Sequence, residues 1–216
     1  MREGGKEMMR LILVRHGQTE WNANGRYQGQ SNVALSELGR RQAECLAAGF
    51  PVQGLDAIYS SDLDRARETA ECVGRKFGVP VRLEPAFREL SFGDWEGLTY
   101  QEISTRWPEE ANKLFTAPDE LKIPNGETFQ DLQKRALAKI DALCKEHVDK
   151  NVAVFAHGAI NKTILSGLMH IPLHYLWSIR QDNTAVNILR LDDGYVTVEL
   201  VNGTFHLGSE EKTLGL

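Results

Sequence analysis

The chain has 216 residues, 42% of them hydrophobic and 25% charged, with a formal net charge of −5. That length suits one large domain able to bury roughly 70% of the surface its unfolded chain exposes, so a core needs no disulfide or metal staple. The acidic balance argues against non-specific binding to nucleic acid or a membrane surface, and an anionic ligand would need a local cationic pocket.

Three widely spaced cysteines, Cys45, Cys72 and Cys144, argue against a disulfide framework and suit a reducing, cytoplasmic setting. Residues 1–9 are charged and glycine-bearing, without the apolar core of a signal peptide, and no later run has the length of a membrane span. The expected organisation is a disordered leader over 1–8 and a single domain over 9–216.

Residues 10–15, Arg-Leu-Ile-Leu-Val-Arg, read as a buried strand, and the next residues are His16 and Gly17. A loop rich in Asn and Gly follows over 22–33, then a helix near 36–49 that Ser36 could cap. Residues 55–60 form a second strand. A helix over about 62–77 has apolar positions at Ala66, Ala70, Val73 and Phe77; Ser61 with Asp64 resembles its cap, and Gly78 then Pro80 end it. Residues 81–83 make a short third strand.

Residues 85–126 contain Pro85, Pro108, Pro118 and Pro124 and read as an excursion over the top of the sheet, with one or two short helices rather than a second domain. Thr128 with Asp131 opens a helix over 128–148, whose stripe is Phe129, Leu132, Ala136, Ile140, Leu143 and Cys144. The strand at 152–156 runs into His157-Gly158, echoing the first, and a helix over about 159–169 follows. Strands near 185–191 and 195–202 are joined at Asp192-Asp193-Gly194, a hairpin signal. Near-continuous apolar strands alternating with helices indicate an α/β fold, a three-layer α/β/α sandwich around a mostly parallel sheet.

Ligands of such sheets bind beyond the carboxyl ends of the strands. Arg15, His16 and His157 sit there, and Arg65 lies in the first turn of the helix after the second strand. Two imidazoles, two guanidiniums and nearby helix N-termini suit a tetrahedral dianion such as phosphate. The glycines after both histidines are expected to let the backbone turn tightly and approach a ligand. Metal binding competes for the histidine pair. No Asp, Glu or Cys joins the pair at ligand spacing, however, and two arginines repel a cation, so neither metal nor cofactor is expected.

The run Leu-Val-Arg-His-Gly-Gln-Thr-Glu-Trp-Asn over 13–22 resembles the Arg-His-Gly signature of the histidine phosphatase superfamily, in its phosphoglycerate-mutase-like branch. The resemblance extends to Ser60-Ser61-Asp62-Leu63-Asp64-Arg65-Ala66, to Arg88-Glu89-Leu90-Ser91-Phe92-Gly93-Asp94-Trp95-Glu96-Gly97 and to Ala156-His157-Gly158, and covers roughly 10–200. It implies that His16 is a nucleophile that becomes phosphohistidine and that Glu89 is the proton donor. It further implies that Arg15, Arg65 and His157 bind the phosphoryl group, with Asn22, Gln28 and Gly29 also at the phosphate. Glu96 is read as a surface acid, with an exchange of roles with Glu89 as the alternative.

The chemistry suits those roles independently. Imidazole is a competent nucleophile near its unperturbed pKa of about 6.5, provided that its second ring nitrogen donates elsewhere, as to a backbone carbonyl. The two arginines, and His157 if protonated, would stabilise the equatorial oxygens of an in-line transfer. The acid role asks Glu89 to keep a proton near neutral pH.

Mutases of this family carry a longer basic insertion, whereas 106–122 is short and holds Glu109, Glu110, Asp119 and Glu120, with Glu102 just before, against Arg106, Lys113 and Lys122. Gln28 stands where the mutases carry a threonine, and Asn32 and Ala34 depart from an Asp-x-Pro pattern. These departures favour a hydrolase of a small-molecule phosphate ester over a phosphoglycerate mutase. Phe92-Gly93-Asp94-Trp95-Glu96 and Ile123-Pro124-Asn125-Gly126-Glu127-Thr128-Phe129 look like α-ribazole phosphatases, and broad-specificity and phosphoserine phosphatases share much of both segments.

Trp95, Trp107, Leu114 and Phe115 either line an apolar substrate wall or, as favoured here, pack the excursion onto the body. His147, His170, His174 and His206 are read as solvated or capping residues. Trp177 with Arg180 and Asp182 is read as packing a helix-to-strand corner. Asn183 is a candidate buttress left outside the site set.

Overall fold

The first strand, β1 (Met8–Arg15), is apolar on both faces and lies inside the sheet, paired in parallel with β4 (Asn151–Ala156) and antiparallel with β5 (Val186–Asp192). The computed structural model describes residues 8–192 and 195–212. Strand β1 begins at Met8, opposite Asp192, so Met8 belongs to the sheet rather than to a leader; residues 1–7 of the expected leader lie outside the described residues.

Strand β2 (Ala57–Ser60) flanks β4, β3 (Val81–Leu83) flanks β2, and β6 (Tyr195–Gly203) pairs with β5, giving the order β3-β2-β4-β1-β5-β6. The first four of these strands are parallel and the last two antiparallel, a mostly parallel sheet as expected. Asp192 pairs with Tyr195 across the final hairpin, whose turn residues Asp193 and Gly194 lie outside the described residues.

Successive side chains of β1 serve opposite layers, as strand geometry requires. Leu11 and Leu13 join Val152 and Val154 in a core covered by α6 (Phe129–Glu146) and α7 (Gly158–Leu168). Ile12 and Val14 join Ala153 and Phe155 in a second core under α2 (Glu37–Ala48) and α3 (Asp64–Phe77). Each fully buried Leu, Ile or Val is worth about 1.5–3 kcal/mol relative to exposure, which is why the strands are apolar end to end.

Helix starts follow the caps read in the chain, with one exception. Ser36 accepts from the Gly39 amide and Thr128 from the Asp131 amide. At α3 the N-cap is Leu63, with no side-chain bond of its own. The acceptor comes from across the loop instead: Asn32 Oδ1 takes the Asp64 amide at 2.9 Å and Asn32 Nδ2 donates to the Asp64 carboxylate at 2.8 Å. A cap delivered from 32 residues upstream leaves no local signal. A short helix, α1 (Glu20–Ala23), also forms inside the expected loop, where Thr19 and Asn22 make a reciprocal capping box.

The excursion holds the two short helices expected of it, α4 (Tyr100–Arg106) and α5 (Pro108–Thr116), besides 3-10 turns. Trp95 and Leu114 are fully buried in the α6–α7 core, so they pack the excursion onto the body; Phe115, 51% exposed, does not.

Helix α2 packs on the turn after β1 at two glycines, with Gln42 Oε1 accepting from Gln18 N–H. A Cβ on Gly39 would lie 2.0 Å from the Gln18 carbonyl oxygen, and one on Gly17 would lie 2.5 Å from the Gly39 carbonyl oxygen. Gly17 is therefore small because a helix backbone abuts it, not because a ligand does. Gly39→Ala is expected to lower unfolding free energy by about 1–3 kcal/mol through overpacking. Gly54→Ala, where a Cβ meets nothing within 4 Å, is expected to stay within about 0.5 kcal/mol of the parent protein. Urea denaturation of both variants compares them.

Candidate active site

Parallel pairing places Arg15 opposite Ala156, so the next residues, His16 and His157, leave adjacent strand ends together. Their rings meet edge to face with centroids 5.1 Å apart. The His16 turn is held through its backbone: His16 N–H donates to Ala156 O, and His16 O accepts from Thr184 N–H and Asn183 Nδ2. The Thr69 hydroxyl accepts from Gly17 N–H at 3.1 Å while donating to Arg65 O at 2.7 Å, tying this turn to α3.

Hydrogen bonds assign both tautomers. His16 Nδ1 lies 2.6 Å from Gly17 O, which can only accept, so the proton is on Nδ1 and the Nε2 lone pair is free. Arg65 Nε donates to His157 Nδ1 at 3.1 Å, so His157 carries its proton on Nε2, a buried N–H with no protein partner. Burial, then Arg65 and Arg15, hold His16 well below the usual imidazole range. Burial, then Arg65, His16, Arg15 and Arg135, do the same for His157. His157 is thus a neutral N–H donor, which decides a protonation state the sequence left open.

Arg65 is fully buried and spends three N–H groups on the protein, with Nη1 to Ser31 O and Nη2 to Gly29 O besides the bond to His157. Two of its five donors remain for a ligand. Burial lowers it to about 10, against the pull of Glu89 and Glu96. Arg15 donates Nη1 to Gln181 O, and its Nε is buried without a protein acceptor. A Cβ on Gly158 would rest 3.5 Å from that guanidinium, an ordinary contact, so Gly158 brings the start of α7 against Arg15 without needing special backbone freedom.

Glu89 faces the start of α7. Its Oε1 accepts from the Leu90 and Ile160 amides and its Oε2 from the Ala159 amide, all at 2.9–3.0 Å. Arg135 of α6 holds the backbone beneath it, donating to Ala86 O, Arg88 O and Glu89 O while forking the Glu127 carboxylate. Asn22 turns Oδ1 to Thr19 N–H and to Asn183. Gln28 is buried with Oε1 unpartnered.

Gly29 takes a left-handed conformation, φ +54°, and a Cβ there would fall 2.1 Å from Glu96 Oε1. Glu96 is not the surface acid expected. Its carboxylate accepts from Gln30 N–H, Ser31 Oγ and Phe92 N–H, anchoring the turn whose Gly29 and Ser31 carbonyls hold Arg65. Of the residues chosen from the sequence, Arg15, His16, Arg65, His157 and Glu89 meet at the strand ends and the start of α7, Gly29 joins through its carbonyl on Arg65 and Asn22 through Asn183, while Gln28 is buried beside Gly29 in the chain. The choice missed Glu96, Asn183, Arg135 and Lys162. Lys162 on α7 is buried with no polar partner, and an apolar helix interrupted by a lysine was its one legible signal.

Of the remaining histidines, His147 caps α6 and bonds the Tyr59 hydroxyl at 3.0 Å, and His206 is not solvated but half-buried against Thr184 Oγ1 at 2.9 Å. His174 is paired with Asp119 on the surface, and His170 takes a left-handed backbone just past α7. Among the described residues no three His, Cys, Asp or Glu side chains are grouped to hold a metal, and no helix is long and apolar enough to cross a membrane.

Residues 11–204 match the sequence profile of the histidine phosphatase superfamily (branch 1). The chain is 31% identical over 201 residues to phosphoserine phosphatase 1 of Hydrogenobacter thermophilus, covering 93% of this chain and 95% of that one. It is also 31% identical over 206 residues to a Yersinia pestis protein named for phosphoglycerate mutase (GpmB), covering 93% and 95%. The α-ribazole phosphatase of Shigella flexneri superposes with a TM-score of 0.82 at 27% identity, over 91% of this chain and 97% of that one.

Both active-site imidazoles are neutral in the fold, so the sign of their linkage to stability is fixed. Above pH about 6.5 neither state binds the proton; below it the unfolded chain does and the fold does not. Stability is expected to fall as pH drops from about 6.5, by up to about 1.4 kcal/mol per pH unit for each histidine. Urea midpoints at pH 7.5, 6 and 5 measure this, and His157→Gln should remove one histidine's share of the slope.

Proposed function

Because the chain belongs to branch 1 of the histidine phosphatase superfamily, we propose that this phosphatase hydrolyses small phosphate monoesters through a phosphoenzyme formed on His16 Nε2. The observation that carries this reading is the free Nε2 lone pair of His16 beside two buried N–H groups without a protein acceptor, Arg15 Nε and His157 Nε2. Arg15 Nε–H, the two remaining Arg65 N–H groups and His157 Nε2–H receive the equatorial oxygens of the phosphoryl group. Asn22, Gln28 and the Gly29 turn close the same pocket.

In the first step the His16 Nε2–phosphorus bond forms as the ester P–O bond breaks, and Glu89 gives its proton to the leaving alcohol oxygen. Oε2 accepts one amide where Oε1 accepts two, so Oε2 is the oxygen with room for that proton. In the second step Glu89 takes a proton from water as the water oxygen attacks phosphorus and the N–P bond breaks, releasing phosphate and restoring His16. Every proton is handled by side chains already in place.

Water is the acceptor because the excursion is short and acidic. Glu102, Glu109, Glu110, Asp119 and Glu120 surround it, and no basic cluster stands ready to grip a second phosphate. The α-ribazole-like segment 92–96 is spent on packing: Phe92 and Trp95 are buried and Glu96 anchors the Gly29 turn, so it speaks for the family and leaves α-ribazole 5′-phosphate one ester among several. Three unpaired cysteines, each half-buried, support a cytoplasmic location.

A metal-free panel of α-ribazole phosphate, phosphoserine, 3-phosphoglycerate and an aryl phosphate tests the reading. Wild type should release inorganic phosphate and His16→Ala should release none; undiminished turnover by the variant would sink the mechanism. Rapid acid quench should trap an acid-labile phosphoenzyme in wild type alone. Removing the anchor of the Gly29 turn, in Glu96→Ala, should lower kcat/KM by about 100-fold with His16 still phosphorylated, the cost of a misplaced Arg65.

A further inference from the structure

Lys162 lies one turn into α7, only 6% exposed, and among the described residues it has neither a hydrogen-bond acceptor nor an ion-pair partner. Its ammonium lies over the face of Trp177, with Nζ 4.4 Å from the ring centroid. Trp177 is itself fixed, its Nε1 donating to Leu114 O and its ring against Phe115 and Phe129, and it lines a surface groove with Phe115, His174 and Tyr175. A lysine this enclosed normally has an anion, because partly desolvating a charge unpaired is costly; Nζ is not among the fully buried unpartnered atoms and so keeps an opening through which an anion can reach it. Cation–π contact offsets only part of that cost and leaves N–H donors unused.

The position of Lys162 relative to the phosphate pocket follows from the helix. Residues four apart lie on one face, so Lys162 stands behind Gly158, whose backbone rests on the Arg15 guanidinium. Four residues rise about 6 Å along the axis, the span of a two- or three-carbon chain. Arg15, Arg65 and His157 already supply donors for a phosphoryl group, so a further cation one turn away is matched to a second acid on the same molecule. Arg15, Glu89 and Asp182 are the charged groups whose fields reach Lys162. Burial and Arg15 lower the ammonium to about 8, against Glu89 and Asp182, which leaves it charged at neutral pH.

Resting on the phosphatase reading above, we propose that Lys162 determines specificity by receiving a carboxylate on the alcohol portion of the ester. The preferred substrates are then phosphate esters of short hydroxy acids, and esters of uncharged alcohols are poorer ones. This separates the candidate substrates by chemistry: phosphoserine and 3-phosphoglycerate carry the acid, whereas α-ribazole 5′-phosphate does not.

The test compares phosphoserine and 3-phosphoglycerate with their carboxyl methyl esters, which lose the charge and keep the rest. In wild type, methylation should lower kcat/KM by about 10- to 100-fold, the scale of a charge-assisted hydrogen bond. In Lys162→Met that penalty should vanish, and in Lys162→Arg it should persist; Lys162→Gln replaces the Met variant if that one does not fold. Equal turnover of acid and ester by wild type overturns the proposal, and so does a penalty that survives in Lys162→Met. An aryl phosphate run alongside identifies a different failure. If wild type releases phosphate from none of these esters, the phosphatase reading itself is wrong and this inference falls with it.

Discussion

Two guanidiniums and two imidazoles are buried in one shell at the end of the sheet, and most of the surrounding structure answers the cost of putting them there. Among the described residues Glu89 is the one carboxylate in that shell, and amides already occupy both of its oxygens. Neutralisation comes instead from dipoles: Gln181 O on Arg15, Gly29 O and Ser31 O on Arg65, Gly17 O on His16. The imidazoles contribute by staying neutral. Each carbonyl must be held at the right place, which accounts for the left-handed Gly29, the Glu96 anchor beneath it and the Asn32 bridge to α3. The result is a cationic site in which Arg15 Nε–H and His157 Nε2–H have no protein acceptor.

The parts of this arrangement visible in the chain are those set by local rules. Strands that end in Arg-His-Gly and Ala-His-Gly can be read because burial on both faces demands unbroken apolar runs. The consequence of their pairing, two histidines at one edge, follows from topology. Glu96, Arg135, Asn32 and Lys162 escaped because their roles are made by distant partners. Glu96 resembles any acid in a turn until residues 29–31 are laid over it, and Arg135 resembles a solvated helix residue until the 86–89 backbone meets it. His157 shows the same limit in another form: its residue type was evident, but its tautomer depends on which nitrogen Arg65 Nε reaches.

Resemblance among relatives can be separated in the same way. The segments around Phe92–Glu96 and Ile123–Phe129, which look alike across phosphatases of differing substrate, are mutually packed: Asn125 bonds Asp94, the Asp94 amide meets Pro124 O, and Phe92, Trp95 and Phe129 are buried. They describe how the excursion is fastened to the body. Preference among leaving groups rests with residues that face the space beside the pocket, where Trp177 and Lys162 stand.

The central position of β1 has a consequence for how the molecule comes into being. Both neighbours of this strand are made late: β4 begins at Asn151 and β5 at Val186, and the carbonyl of His16 waits for Thr184 and Asn183. At ribosomal rates β1 exists for roughly seven to twenty-seven seconds before its first partner is synthesised. During that time an apolar strand has two open edges, the state most prone to pairing with other chains. Catalytic competence and protection from aggregation therefore arrive together, when the last third of the chain emerges.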